Sequence, residues 1–451
     1  MNLPVLTVMM PAMSLPTQHI DFIRLRCNQL RRLSPGLNRC CLVMITVSVT
    51  VSLFACLPAI AIDREDVSLL IHQLNANTRS ERVQAERQLV DLGEEILPLV
   101  KQFRKTNPEL DFQLQTLQRK IQAETAARAL KGTLISFPSK KPITLREAVQ
   151  LIHAQSEIDV IVAPSVEEVV VQIAEEKQSF WSAIDSLSKS GDLGWLHENH
   201  SLLFSPRALL KHGAKDYPTC FRVAAVHQIP RQLFRGRNRD TLTNIGFRID
   251  VEPHIEPFFV RIHDQDFRLT SSNQEALLPF SPDAKRVVER GANPWFEFSI
   301  SFLNNNPITS EIVDVDGKGE LFCSARQQLL RRSLASQSKV AEPVQSFSVQ
   351  EQSDSIVVDI ALLMDEGIQQ LDSHQLALLH RNAWLVVENQ QRIEPIRKEV
   401  LRIEGLKHSV QLTFPKPESD LDQIEFQYLY PEFLTTTSFE FSVKGIEYRR
   451  R

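Results

Sequence analysis

The chain has 451 residues, of which 43 % are hydrophobic and only 14 are Gly, with 51 Lys+Arg against 55 Asp+Glu. This excludes a wholly disordered chain, a collagen-like repeat and a short disulfide-stapled peptide, and the length suggests roughly two to four domains. Of the six Cys, Cys27, Cys40, Cys41 and Cys56 crowd the N-terminal end, leaving Cys220 and Cys323 beyond it.

Residues 40 to 62 form an uncharged apolar run, CCLVMITVSVTVSLFACLPAIAI, preceded by Arg24, Arg26, Arg31, Arg32 and Arg39. A positive flank, an apolar stretch and the small-x-small ending Ala59-Ile60-Ala61 make residues 1–61 a signal peptide, with cleavage expected between Ala61 and Ile62. Two other readings stand beside it. The run is long enough to remain as a membrane anchor, and Leu53-Phe54-Ala55-Cys56 is an imperfect lipobox that would place lipid on Cys56. Membrane attachment is expected only through one of these two routes. Residues 1–61 hold five Arg and one Asp, so the rest carries 46 basic and 54 acidic residues, net −8. Its densest basic cluster is Arg235-Gly236-Arg237-Asn238-Arg239, which is no electrostatic footprint for nucleic acid. Export permits a Cys220–Cys323 disulfide, although spacing alone does not show that the two meet.

Residues 62–132 are predicted helical. Val67, Leu70, Ile71 and Leu74 share one helix face, and Thr78 with Glu81 has capping-box spacing. Gly93 stands where a helix ends. Ile96, Leu99, Val100 and Phe103 repeat the first spacing, and Asn107-Pro108 opens a last helix along Leu110, Leu114, Leu117 and Ile121. The run Ser80-Glu81-Arg82-Val83-Gln84-Ala85-Glu86-Arg87-Gln88-Leu89, with Leu92-Gly93 and Ile96-Leu97-Pro98-Leu99, resembles a HEAT repeat. The resemblance implies an interaction surface, but one or two units are too few for a solenoid.

Residues 133–210 are predicted as a small β-α-β-β-α-β-β module. Thr133 to Phe137, Asp159 to Ala163 and Val169 to Ile173 suit strands. Thr144 and Glu147 open a helix with Leu145, Ala148, Val149 and Ile152 on one face. Phe180, Ala183, Ile184 and Leu187 mark a second helix, and Leu193 to Leu196 with Leu202 to Phe204 close as a hairpin. This order, with Ile143-Thr144-Leu145-Arg146-Glu147-Ala148-Val149, Val160-Ile161-Val162, Val169-Val170-Val171-Gln172-Ile173 and Gly194-Trp195, resembles the STN domain of secretins and TonB-dependent receptors. The resemblance implies a periplasmic protein–protein interaction module without catalytic residues. No outer-membrane barrel is expected downstream, because the strands are short and lack lipid-facing aromatic girdles.

The remainder is predicted β-rich: 17 of the 24 Phe lie after residue 218. Period-two alternation marks Ile245 to Val251, Phe296 to Phe302, Ile356 to Leu362, Val410 to Phe414, Ile424 to Tyr428 and Phe439 to Val443, each with one buried and one wet face. This is the pattern of an antiparallel β-sandwich. Residues 219–332 make one sandwich region and 333–345 a linker or long loop. Residues 346–451 make either a second sandwich or the completion of the first. Asp316-Gly317 reads as a hairpin turn, and Asp365 to His380 as more helical than its surroundings. The fold class is therefore multidomain α+β.

Motifs for chemistry are scarce. P-loop, G-x-G-x-x-G, G-x-S-x-G and H-E-x-x-H patterns are all missing. His197 with His200 would splay in a turn and lack a third metal ligand. Asp314, Asp316 and Glu320 lack the EF-hand's 12-residue loop. His263, Asp264 and Asp266 read as a polar loop. Glu252, His254 and Glu256, interrupted by Pro253 and Pro257, would face one way on a bent edge strand and suit a weak metal or acid/base site. No catalytic, cofactor or metal residue is assigned. The favoured expectation is an exported, non-enzymatic envelope protein with a protein partner. A carbohydrate or cell-surface polymer module using Trp295, Trp384 or Tyr430 is the alternative, and a hydrolase built on Glu252, His254 and Glu256 the second.

Overall fold

The computed structural model describes residues 64–447, apart from 138–140, 174–175, 199–200, 207–212, 236–237, 272–275, 292, 305–311, 336–341, 365 and 388–390. Residues 1–61 with Cys27, Cys40, Cys41 and Cys56, the Ala61/Ile62 junction expected for signal cleavage, His200 and the centre of the basic cluster thus lie outside the described residues. The chain forms two compact units, Met1–Leu69 and Leu70–Arg451. Only Arg64–Leu69, the start of helix α1 (Arg64–Gln73), is described in the first.

Local signals in the sequence set the helix ends. Helix α2 (Arg79–Leu92) is capped by Thr78, whose Oγ1 accepts the Glu81 N–H at 3.3 Å, and stops at Gly93, where φ is 75°. Helix α3 (Leu97–Thr106) tolerates Pro98 because its first turn has no intrahelical N–H bond to lose. A 3-10 turn at Pro108–Leu110 leads into α4 (Asp111–Leu130), whose Leu114, Leu117 and Ile121 are buried. Ala85 and Leu89 of α2 and Val100 of α3 are buried as well, and both helices pack against α4. Each such aliphatic side chain contributes about 1.5–3 kcal/mol by leaving water.

The next segment runs β1 (Leu134–Ser136), β2 (Ile143–Thr144), α5 (Leu145–Ser156), β3 (Val160–Val162), β4 (Val170–Val171), β5 (Lys177–Ser179), α6 (Phe180–Gly191), β6 (Gly194–Glu198) and β7 (Ser201–Ser205). Thr144 and Glu147 form a reciprocal capping box on α5, and Ser179 caps α6. β1 pairs with β5 and β2 with β4, while β3 runs parallel to β7, which pairs with β6. Leu145, Ile152, Phe180, Ile184, Leu187 and Phe204 fill one core. β2 and β5 go beyond the predicted order. They are two and three residues long, and cross-strand pairing rather than their own sequence makes them strands.

Sixteen described strands follow: β8 (Lys215–Asp216), β9 (Phe221–Arg235), β10 (Asn238–Val251), β11 (Glu256–His263), β12 (Arg268–Ser271), β13 (Ala276–Leu277), β14 (Lys285–Glu289), β15 (Phe296–Asn304), β16 (Ile312–Ser333), β17 (Val344–Glu351), β18 (Ser355–Leu363), β19 (Ala383–Val386), β20 (Arg392–Ile393), β21 (Arg397–Glu404), β22 (Lys407–Pro415) and β23 (Glu425–Glu447). One sheet has the order β15-β10-β9-β8 and another β17-β18-β22-β21. The third runs β13-β12-β16-β23-β19-β20, with β11 beside β16 and β14 beside β11. β16 and β23 pair antiparallel from Ile312↔Glu447 to Ser333↔Glu425, so two strands of 22 and 23 residues form a single ribbon.

That ribbon joins two cores. Val313, Val315, Leu321, Phe439, Phe441 and Val443 pack with Ile245, Phe247, Ile249, Phe296 and Ile300 in the first. Phe426, Tyr428 and Tyr430 pack with Ile356, Val358, Ile360, Leu412 and Phe414 in the second. The alternatives of one sandwich or two therefore merge into two cores sharing one pair of strands. Between Asp365 and His380 the described backbone forms 3-10 turns, Glu366–Gln370 and Ser373–His380.

Two expectations are overturned. Asp316-Gly317 is no turn: both lie inside β16, opposite Ser442 and Phe441. A Cβ on Gly317 would meet Phe441 Cζ at 2.6 Å, and one on Gly319 would meet Phe439 Cζ at 2.9 Å. The glycines make room for rings lying flat across the strand, a use of glycine that period-two reading does not register. Nor does β10 have a wet face from Ile245 to Val251, because Arg248 and Asp250, alternating with the buried Phe247, Ile249 and Val251, are buried themselves.

Candidate functional site

The most heavily charged interior of the described chain lies where the 133–205 segment meets the β-rich part. Asp185 and Trp181 come from α6, and Trp195 and His197 from β6. Across from them stand Lys215 on β8, Tyr217, Arg222 on β9, and Arg248 and Asp250 on β10. Strand register places Arg222 directly opposite Asp250. Arg248 is two residues from Asp250, so strand alternation sends it to the same face.

Each carboxylate collects several donors. Asp250 Oδ2 accepts Arg222 Nη1 at 2.7 Å, and its Oδ1 takes Arg248 Nη2 at 2.6 Å, Arg248 Nε at 2.9 Å and His197 Nε2 at 3.1 Å. Asp185 accepts Arg222 Nε at 2.7 Å, Tyr217 Oη at 2.9 Å and Trp195 Nε1 at 3.2 Å, with Lys215 Nζ at 3.1 Å. Trp181 donates its Nε1 to Cys220 O at 3.2 Å. The Arg248 guanidinium lies 3.8 Å from the Trp295 ring centroid and 5.6 Å from that of Trp195, an arrangement in which the ring faces attract the cation.

Burial alone would raise both carboxyl pKa values. The His197 hydrogen bond and the Arg248 and Arg222 charges overcome it at Asp250, and the Arg222 and Lys215 charges overcome it at Asp185, so both are held below the usual carboxylate range. Burial pushes the Tyr217 hydroxyl up, with Asp185 adding to it, and pulls Lys215 down. The two carboxylates are held ionised, and Arg222 and Asp250 are wholly buried. Such a cluster suits cohesion, not proton transfer to a substrate.

A second bridge lies beside it. Glu252, also fully buried, accepts the Thr133 N–H at 3.0 Å and the Thr133 hydroxyl at 2.8 Å. Burial raises its pKa to about 7 against those donors. Gly132 is required here. Its φ is +77°, and a Cβ would strike Thr219 O at 2.5 Å, so only glycine lets the end of α4 lie against the Thr219-Cys220 backbone.

The sequence-derived candidates are dispersed by the fold. Glu252 faces Thr133, whereas Glu256 accepts from Arg290 Nη1 and Gln327 Nε2, each at 3.0 Å. His254 lies in the bend between β10 and β11, 3.5 Å from Glu252 and 3.3 Å from Ala129 O, so it stays beside Glu252 while Glu256 is engaged elsewhere. His197 sits on β6 with its side chain 4 % exposed, not in a turn. Asp264 is buried against Arg286, and Asp266 pairs with Lys318 at 3.3 Å. Asp314 accepts the Gly445 N–H. Asp316 lines an open pocket of ≈ 580 Å³ with Asp216, Asp266, Lys318 and Glu440. Among the described residues no three His, Cys, Asp or Glu side chains come together to hold a metal. Trp384 and Tyr430 are buried and bonded to Gln427 and Leu363 O, so neither presents a face to a polymer. Trp295 is half-buried over Arg248. Cys220 and Cys323 occupy the same core as free thiols.

Compared with known proteins, the chain matches no family model and no curated relative. Among the described residues no helix is long and apolar enough to cross a membrane.

Sequence reading missed Asp185, Arg222, Arg248 and Asp250. One signal was available. Arg222 interrupts the apolar run Cys220-Phe221-Arg222-Val223-Ala224-Ala225-Val226, and a strand apolar on both faces is buried on both, so a lone Arg in it needs an internal counter-charge.

Proposed function

We propose that the chain is an exported, non-enzymatic envelope protein that acts through protein–protein contacts, with the HEAT-like helices and the STN-like module as its interaction elements. The buried Asp185–Arg222–Asp250–Arg248 network carries the reading. Its carboxylates, each bonded to several donors, fasten the module to the β-rich body, which leaves the module's other surfaces as the part that meets other molecules. On those surfaces Leu134, Ile161 and Val170 are 57 %, 45 % and 61 % exposed, although each sits on a short strand of a packed module. The polymer-binding alternative loses Trp384 and Tyr430 to the core. In the hydrolase alternative Glu252 and His254 stay 3.5 Å apart, but Glu252 is taken by Thr133 and Glu256 by Arg290 and Gln327.

A photo-crosslinker placed at Ile161 or Val170 in cells should yield one discrete adduct with an envelope protein, whereas the same group at Leu401 of β21 should not. Equal labelling at all three positions, or none, sinks the proposal. Intact mass of the native, non-reduced protein tests export separately. It reports cleavage before Ile62, lipid on Cys56 and the loss of two hydrogens if Cys220 and Cys323 pair.

A further inference from the structure

The second core contains two imidazoles that nothing above uses. His408 opens β22 and shares the inward face of Val410, Leu412 and Phe414, while His380 ends the 3-10 turn that leads into β19. Both are buried, at 0 % and 1 % exposure, with ring centroids 5.7 Å apart. His380 Nδ1 lies 2.9 Å from the Tyr428 hydroxyl of β23, which is itself 3.3 Å from Leu379 O. Among the described residues, His380 Nε2 and both nitrogens of His408 have no hydrogen-bond partner.

The surroundings are neutral or cationic. β21 contributes Lys398, whose Nζ donates to Arg381 O at 2.6 Å and whose charge acts on His380. Arg381, following His380, points to Glu289 of β14 at 3.7 Å. Glu394 faces Lys398. β23 supplies Tyr428 and Tyr430, and the Tyr430 hydroxyl donates to Leu363 O of β18. No described carboxylate acts on either imidazole.

We propose that the His380–His408 pair is an acid-operated latch, holding the β17-β18-β22-β21 sheet against β19 and β23 while both rings are neutral and releasing it when either gains a proton. A protonated ring here would be a buried cation beside a second imidazole and Lys398, with no counter-charge among the described residues, and such a charge is tolerated only once water reaches it. The other route to relief is opening of the core. Burial, with His408 and Lys398 adding to it, pushes His380 down to about 3, and burial pulls His408 down. The unfolded or opened chain therefore binds more protons than the closed one below about pH 6.5, so the closed form loses ground as pH falls through that window. The rings charge together with the opening, not before it.

Hydrogen exchange of the full chain, corrected for intrinsic rates, tests this between about pH 7.5 and about pH 4, the span over which an exposed imidazole charges fully. Peptides covering 355–363 and 407–415 should lose protection as pH falls while those covering 221–225 and 245–251 keep theirs. In His408→Phe the midpoint should move at least about one pH unit lower, a tenfold change in proton concentration. The latch is overturned if the variant opens at the wild-type pH, or if both groups of peptides open together. Should the variant not fold, carbon-13 signals of the wild-type imidazoles decide the matter. Both rings staying neutral until protection is lost supports the latch, and protonation inside a still-protected core refutes it.

Discussion

The two buried polar clusters of this protein sit in similar strand-built interiors and respond to protons in opposite ways. The seam of Asp185, Arg222, Arg248 and Asp250 places full charges of both signs within about 3 Å of each other, so its carboxylates stay ionised below the usual range. Stability from a depressed carboxyl is complete above about pH 4 and is lost only as pH falls through the folded value. The His380–His408 pair has no opposite charge, and burial acts on it unopposed. Burial therefore dictates no direction for stability in acid; the presence or absence of a built-in partner does.

The largest test of that contrast is Asp250→Ala, which leaves Arg222 and Arg248 buried without their shared counter-ion and should cost about 3–5 kcal/mol in chemical denaturation. The loss should persist at about pH 5, because the seam's carboxylates are held below the usual range. A loss well under 1 kcal/mol would mean that the seam is hydrated. Glu252 offers the reverse sign two residues from Asp250 of the seam. Its pKa is raised to about 7, so the folded chain holds more protons than the unfolded between about pH 4.5 and that value, and stability falls as pH rises across the window. Glu252→Gln should abolish that slope and leave the variant more stable than wild type at about pH 8, by on the order of 1–3 kcal/mol. An unchanged slope would show that the Thr133 donors keep Glu252 ionised.

Two further substitutions should shift stability without changing its pH dependence, which sharpens the comparison. Gly317→Ala forces a methyl into the Phe441 and Phe267 rings, and at about 1–3 kcal/mol it separates a packed strand from the hairpin turn that the sequence suggested. Were Gly317 in an open turn, thermal unfolding would hardly notice. Thr144→Ala removes one half of the capping box on α5 and should cost about 1 kcal/mol. A pH-dependent effect of either would mean that the change reaches one of the titrating clusters.

Much of the fold was legible wherever the deciding interaction is local. Thr78, Thr144 and Gly93 mark helix ends through bonds spanning three or four residues, and the 3.6-residue spacing of Val67, Ile71 and Leu74 needs no partner to be recognised. The alternation in Ile245 to Val251, Val410 to Phe414 and Phe439 to Val443 likewise located strands. The same alternation misled about their second faces. Arg248 and Asp250 look like solvent-facing residues until β6 and α6 bring His197 and Asp185 over them, and His408 looks like a break in an apolar face until His380 arrives from 28 residues upstream. The candidate site was accordingly the least legible part, because its members come from five separate elements and no short motif holds two of them in recognisable spacing.

The sequence by itself determined the helices, most strands and the mixed α+β class, all of which follow from propensity and periodicity. Tertiary structure alone decided that β16 and β23 are one ribbon shared by two cores, that Gly317 lies under a ring and not in a turn, and which charged residues face inward. The reason is physical. Periodicity reports which residues avoid water along one strand, whereas the fate of a polar side chain depends on what another part of the chain places opposite it.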